Sequence, residues 1–349
     1  MLRSIRFWLG LAVSAAFIAL LFWRTPTGDI VRSLKGANYW WFLPALGLYL
    51  ASIWVRSFRY RFLVRDLADL TPNQLFPVLC IAFMANNLLP ARAGELMRVY
   101  VLGERYGLKK VSALGTVLVE RLFDGLTLLL FFLLTVALLG ANGALRGLAA
   151  ISIAIFLVAL AVFGLILRWP ARAEALAHRV VALLPRPLRP LGRDLSSSLL
   201  SGMVALRDPT ALTVAIVTSP LAWGMEAGVF WMVGQSFGLH LNLGWFMMAM
   251  AAGNLALTAP STQGGIGPFE FFARQVIVVA GASEGAATAY ALVAHAMIIV
   301  PVTVLGLVFL PAYHLKLGGP PPADRDGAPD DPGDRDADEP PRAHVALEG

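Results

Sequence analysis

The sequence is poor in charge: 14% of its 349 residues are charged against 58% hydrophobic, and its mean hydropathy is +0.69. That is too little polar material to cover a water-exposed globule, so a soluble fold is excluded for most of the chain. Cysteine is nearly absent. Cys80 stands alone in an apolar run, which excludes a disulfide framework or a cysteine-based metal site and leaves the plain reading of a small buried hydrophobe. The five histidines are scattered without ligand spacing, so no metal is expected. Gly264-Gly265-Ile266-Gly267 has no Lys after it and no strand-turn-helix context, which argues against a phosphate loop. No cofactor is expected, and nucleic acid is not an expected partner.

What the chain does have is apolar runs of about 20 residues, the length that spans a bilayer. They recur up to about residue 313 with no soluble domain between them. The expected class is an all-α polytopic membrane protein with one membrane domain, residues 1–315. The tail, 316–349, is rich in Pro, Asp and Gly and is expected to be a disordered cytoplasmic segment. From Gly318 onward it holds three Arg against nine Asp and Glu, so with a net charge of +6 overall the body carries +12. A basic body suits anionic lipid, although cytoplasmic loops rich in Arg account for much of it.

Taken in order, residues 7–23 behind Arg3 and Arg6 predict an uncleaved first span with its N-terminus inside. A second span over 39–55 is followed by Arg56, Arg59, Arg61 and Arg65, a cluster expected in the cytoplasm. The tryptophans and tyrosines Trp8, Trp23, Tyr39, Trp40, Trp41, Trp54 and Tyr60 are expected to anchor the interfaces. Further spans are expected over 111–139, 148–167, 211–237 and 286–313, the last kinked at Pro301. The loop 168–210 holds Arg168, Arg172, Arg179, Arg186, Arg189, Arg193 and Arg207, the strongest cytoplasmic marker. Surface helices are expected in it over 171–184 and 195–206, separated by proline breaks.

Two stretches resist a simple crossing. Residues 86–98 carry two amides, Pro90, Gly94 and the charges Arg92, Glu95 and Arg98 inside an apolar run, with basic flanks on both sides. Backbone without helical hydrogen bonds survives at membrane depth only where protein or a water-filled cavity supplies partners. A re-entrant hairpin entering from the cytoplasm satisfies both flanks. Residues 245–281 break at 260–268, and span parity makes them a second hairpin entering from the opposite face. The layouts correspond: Asn87, Pro90, Gly94, Glu95 and Arg98 against Asn254, Pro260, Gly264, Gly265, Glu270 and Arg274. Six full spans plus two re-entrant hairpins in inverted orientation follow, an arrangement typical of transporters.

Glu120, Arg121, Asp124 and Glu226 lie well inside predicted spans, where each unpaired charge costs about 2.5 to 3.5 kcal/mol at the bilayer centre. Arg121 and Asp124, three apart, can meet on one helix face, whereas Glu120 needs a partner from elsewhere. At ~1.5 Å per residue, Glu120 and Arg98 reach similar depths of about 10 to 12 Å. An inner cluster of Arg92, Glu95, Arg98, Glu120, Arg121 and Asp124 is therefore expected. By the same count Glu226, Glu270, Arg274 and His295 form an outer one. Such charges could glue broken helices or receive an anionic headgroup, since the guanidinium fork suits phosphate as well as carboxylate. Arg98→Ala or Arg274→Ala is expected to abolish function without preventing insertion.

Three ordered motifs, Asn87-x-x-Pro90-x-Arg92-x-Gly94-Glu95-x-x-Arg98, Val119-Glu120-Arg121-Leu122-x-Asp124 and Pro260-x-x-x-Gly264-Gly265-x-Gly267-x-x-Glu270, resemble the transmembrane flippase-like domain of the lysylphosphatidylglycerol synthase/flippase family. The resemblance covers roughly residues 5–315. It departs at Gln263, where the family often has Pro, and it includes no aminoacyl-transferase portion. It implies a bacterial inner-membrane flippase with both termini cytoplasmic, moving an anionic or glycosylated lipid through a polar cavity between the hairpins. The alternatives are an integral-membrane transferase acting on a lipid carrier, with Glu95, Glu120 or Asp124 as base, and an accessory subunit of a lipid-synthesis enzyme. Expected partners are a membrane lipid, a lipid-synthesis enzyme or a second copy of the chain.

Overall fold

The computed structural model describes residues 5–23, 25–89, 93–140, 144–257 and 263–313, without the side chains of 5–10, 144–149, 151, 152, 170, 201 and 204. The chain divides into a unit Met1–Tyr313 and a second, His314–Gly349. The second unit, and with it the expected disordered tail, lies outside the described residues. Every described element is helical: α1 (Ile5–Trp23), α2 (Thr27–Gly36), α3 (Phe42–Val64), α4 (Pro72–Leu88), α5 (Gly94–Tyr106), α6 (Lys110–Leu139), α7 (Ala144–Arg168), α8 (Pro170–Leu183), α9 (Arg189–Gly202), α10 (Pro209–Ser236), α11 (Leu243–Ala256), α12 (Pro268–Val279) and α13 (Glu284–Phe309). This is an all-α membrane architecture.

Four segments are long and apolar enough to cross a bilayer unaided: Tyr39–Val64, Lys110–Leu139, Pro209–Ser236 and Glu284–Phe309. They contain α3, α6, α10 and α13. The Leu11–Trp23 part of α1 and α2 together could make a fifth, bent by 81°. The expected first span is thus followed by a short helix that composition did not announce. Helix starts follow local chemistry: Thr71 and Gln74 form a reciprocal capping box on α4, Asp208 caps α10 ahead of Pro209, and Ser283 caps α13.

Between the long helices lie shorter ones in pairs. At 17, 13, 14 and 12 residues, α4, α5, α11 and α12 are each ~18 to 26 Å long, short of a hydrocarbon core of about 30 Å. α4 and α5 fold back on each other. Gly94 packs so close to α4 that an added Cβ would lie 2.1 Å from the Ala82 carbonyl oxygen, while at the other end Tyr106 donates to the Gln74 carbonyl. α4 ends at Leu88 and α5 starts at Gly94, and residues 90–92 between them lie outside the described residues. Asn86 bridges the break, accepting from the Gly94 amide at 2.8 Å and donating to Glu95 at 3.2 Å. α11 and α12 make the corresponding pair. Where the Gln263 departure left its shape open, a 3₁₀ turn Gln263–Gly265 leads into α12, with Gly264, Gly265 and Gly267 at φ 68°, 71° and 104°. Those left-handed conformations favour glycine.

Helix pairing repeats with the same plan. α3 packs on α4 as α10 packs on α11, and α5 on α6 as α12 on α13; α4 rests on α13 as α11 rests on α6. α3 and α10 lie against each other in opposite directions along their whole length. The Asn38 amide donates to the Ser236 carbonyl, Leu48 meets Gly228, Arg59 donates to Ser219, and Arg65 pairs with Asp208. The two units, α3–α6 and α10–α13, are therefore inverted copies, and their hairpin tips meet where Gly264 faces the backbone of Asn87. With little hydrophobic drive between helices in lipid, close fit holds such pairs. Phe246 sits against Gly234 and Phe269 against Gly253.

In the basic loop, α8 matches the expected surface helix, but α9 starts six residues before the expected 195 and ends in a 3₁₀ segment, Met203–Arg207. It also packs on α6. An added Cβ at Gly202 would lie 2.2 Å from the Gly115 backbone, so α9 is built into the fold and is more than a membrane-surface helix.

Candidate functional site

The principal polar site lies where α3, α5, α6 and α10 converge at the base of the first hairpin. Its centre is Glu120, fully buried about three turns into α6. Arg98 on α5 reaches it, as depth counting predicted, and Arg59 on α3 reaches its other oxygen at 2.8 Å. One turn along α6, the Asp124 Oδ1 accepts from Arg59 at 2.9 Å, Arg56 at 3.4 Å and the Trp223 indole at 3.1 Å. Arg56 continues to Glu226 on α10 at 2.9 Å and stacks over the Trp223 ring. Ser219 accepts from Arg59 at 2.6 Å. Arg121 lies 3.0 Å from Asp124 Oδ2, the three-residue pairing expected on α6.

Four arginines thus face three carboxylates. Seven unpaired charges at membrane depth would cost on the order of 20 kcal/mol, so pairing is obligatory. Glu95, on the same helix as Arg98, adds a further carboxylate within electrostatic reach of it. The network keeps unused donors: Arg59 Nε, Arg98 Nε and both Nε and Nη2 of Arg121 make no hydrogen bond, because Arg121 Nη2 is close to Asp124 Oδ2 without the angle for one. Arg121 is 35% exposed, whereas Arg59 and Arg98 are within 2% of complete burial. Arg121 is therefore the exposed end of the network.

Two expectations are corrected here. α3 runs to Val64 rather than 55, so Arg56 and Arg59 are buried members of the network and not a cytoplasmic cluster past a helix end. Arg61 and Arg65 stay partly exposed, at 42% and 37%. The buried stripe Tyr49, Ser52, Arg56, Arg59 and Leu63 repeats at helical spacing, and that signal was present in the sequence. Glu226 belongs to this network through Arg56 and not to an outer cluster. Tyr60, expected as an interface anchor, is fully buried, 5.0 Å beneath Arg98. Trp23, Tyr39, Trp40 and Trp54 are exposed.

The remaining predicted residues are distributed around the hairpins. Asn87 donates to Thr303 at 2.9 Å and toward the Ile299 carbonyl near Pro301. Gly94 and Glu95 close the first hairpin through Asn86. Pro90 and Arg92 lie outside the described residues, as does Pro260. Gly264 and Gly265 shape the second tip. The expected outer cluster divides in two. Glu270 accepts from the Gly267 amide at 2.6 Å and meets His295 Nδ1 at 2.6 Å, while Arg274 turns to Glu284 at 2.7 Å, Thr288 at 2.9 Å and Thr25 at 3.3 Å. Arg274 sits on the same helix as Glu270 without pairing with it because Glu284, at the start of α13, gives it a carboxylate open to solvent.

The chain matches the family described as the lysylphosphatidylglycerol synthase TM region over residues 7–306. It is 25% identical over 333 residues to a protein named glycosyltransferase AglD from Haloferax volcanii, covering 82% of this chain and 51% of that one. The chain thus spans about half the length of that relative. It is 22% identical over 320 residues to a UPF0104 membrane protein from Methanothermobacter thermautotrophicus, covering 87% and 94% respectively. No solved structure matches. With the family matched across the long helices and both hairpins, the chain belongs to the lysylphosphatidylglycerol synthase transmembrane-region family of membrane proteins.

Proposed function

We propose that this protein moves an anionic lipid headgroup across the bacterial inner membrane, with the arginine network at the base of the first hairpin as the headgroup site. The observation that carries this reading is a buried cluster of four arginines that keeps guanidinium donors unbonded and ends in the partly exposed Arg121. An anion arriving there takes up donors that the carboxylates leave unbonded, and the guanidinium fork accepts phosphate oxygens without a change in protonation. The network is closed as it stands, so passage needs the first hairpin to move relative to α6 and carry Arg98 away from Glu120. The meeting of two inverted hairpins supports such alternation. Positive-inside bias places the arginine-rich loop and both termini in the cytoplasm.

Reconstitution tests this directly. The purified chain in phosphatidylcholine vesicles is given acyl-chain-labelled phosphatidylglycerol or phosphatidylethanolamine, and outer-leaflet label is bleached chemically. Faster movement of the anionic probe is expected; no movement across a panel of anionic and glycosylated lipids would count decisively against the reading.

A second reading, transfer onto a lipid carrier, draws on the relative named a glycosyltransferase. The carboxylates speak against it. The oxygens of Glu120 and Asp124 are taken up by arginines, which leaves Glu95, bonded to an amide, as the better candidate. Donor-dependent product formation by the purified chain would reverse the ranking.

A further inference from the structure

The arginine network does not use the second buried polar centre, at the base of the second hairpin. Glu270 and His295 are 4% and 3% exposed and 2.6 Å apart, and the imidazole is stacked at 3.9 Å on the ring of Phe269. The other Glu270 oxygen accepts from the Gly267 amide, which holds the tip of the hairpin. Such a pair stabilises a broken helix, but a lysine or an amide would serve that purpose equally well. Imidazole differs in exchanging its charge between pH 5 and 8.

We propose that Glu270 and His295 form a proton-binding site that couples proton uptake and release to closure and opening of the second hairpin. The inference rests on the lipid-transport reading for what the hairpin motion accomplishes. With one proton bound, the site is an imidazolium facing a carboxylate and has no net charge. Loss of that proton to water from the imidazole leaves a neutral ring and a bare carboxylate, a buried charge of −1. Buried charge without a partner is strongly disfavoured, so the deprotonated site is driven toward water.

Among the described residues, nothing around the pair can replace the proton. On α12, Arg274 is taken up by Glu284. On α13, the Tyr290 hydroxyl is buried without a partner. From α3, Tyr49 donates to the Ile298 carbonyl, and from α4 come Asn87, bonded to Thr303, and the thiol Cys80. From α10, Glu226 is paired with Arg56, and α11 carries no titratable group. From α2, Asp29 approaches Gly285, from α1 comes Ser14, and from the turn between α1 and α2 comes Thr25.

The same contacts carry the motion to the other hairpin. Glu270 holds Gly267, and Gly267 at φ 104° rests on Ser14 of α1. Three residues earlier, Gly264 faces Asn87 at the first tip. Release of Glu270 from His295 and Gly267 therefore loosens the contact at which the two inverted units meet, a contiguous route between the sites.

The test uses the full chain in phosphatidylcholine–phosphatidylglycerol vesicles, with Ile266→Cys, an exposed position beside the tip, carrying a polarity-sensitive, pH-insensitive dye. A single-proton pH transition is expected, and it is lost in His295→Gln and in Glu270→Gln. Having two variants guards against one that fails to fold. The same curve in both variants, or a flat response in the parent, overturns the proposal. In parallel, movement of labelled phosphatidylglycerol is measured with and without a pH gradient. A several-fold acceleration that disappears in His295→Gln supports coupling. Lipid movement indifferent to pH and gradient overturns the proton site and leaves lipid transport standing. A pH transition at the tip with no lipid movement supports the proton site and removes the transport reading.

Discussion

Arg98 on the first hairpin reaches Glu120 of α6, and Glu270 on the second reaches His295 of α13, in corresponding places of two inverted units. Glu120 and His295 each lie about three turns into their long helix. The architecture is shared while the polarity of the pair is reversed. Around the first hairpin the cations are all guanidinium, charged at every physiological pH; around the second the ring exchanges protons. The guanidinium cluster is the proposed anion site, and the carboxylate–imidazole pair is the proposed proton site.

The largest effect that would break this comparison is expected at Arg59. Arg59→Ala removes a side chain hydrogen-bonded to both Glu120 and Asp124 and leaves buried carboxylates short of partners, so a loss of about 3 to 5 kcal/mol is expected. Thermal unfolding in detergent measures it, and stability equal to the parent would show that the network is not holding the helices. Arg98→Ala is expected to be milder for folding, since Glu120 keeps Arg59, yet to abolish lipid movement. Arg274→Ala, expected from sequence to be equally damaging, should now retain partial transport. Its carboxylate partner is 43% exposed and can turn to water, so equal loss in the two variants would merge the sites again.

A finer contrast lies in the tips. Gly94→Ala forces a methyl group onto the Ala82 carbonyl and should destabilise by about 1 to 3 kcal/mol through overpacking. Gly264→Ala meets nothing closer than 3.4 Å and should cost ~1 to 2 kcal/mol through its left-handed backbone alone. Paired unfolding midpoints give the order, and the reverse ranking would contradict the tight closure of the first hairpin. The smallest effect is expected where the units join at their rim. Asp208 caps α10 through the Ala211 amide and pairs with Arg65 at 2.9 Å; the amide, ahead of the arginine, holds its carboxyl below the usual carboxylate range. A depressed value means this support is present above the unfolded carboxylate's titration and is lost as pH falls through the folded one. Asp208→Ala should thus lower the midpoint slightly at pH 7, with the gap to the parent closing in acid.

Much of the first hairpin was legible in the chain. Asn86, Gly94, Glu95 and Arg98 are polar or small residues in an apolar run, where only a broken helix explains them, and equal depth pointed Arg98 to Glu120. Arg56 and Arg59 were misplaced because arginine after an apolar stretch ordinarily marks a helix end at the interface. Here the helix continues, and carboxylates on α6 and α10 make burial tolerable. Glu226 was assigned to the wrong cluster for a related reason. Depth along one helix carries no information about which neighbour it faces.

The sequence by itself determined the class of fold, the places where helices must break and the pairing of like motifs in opposite orientation. Those follow from hydrophobicity, helix propensity and charge bias, which act locally along the chain. Only the tertiary structure decided that α3 and α10 lie antiparallel, and so which arginine meets which carboxylate and that the network ends at the partly exposed Arg121. Pairing in a low-dielectric interior depends on distances of a few ångströms between distant segments, and those are set by packing.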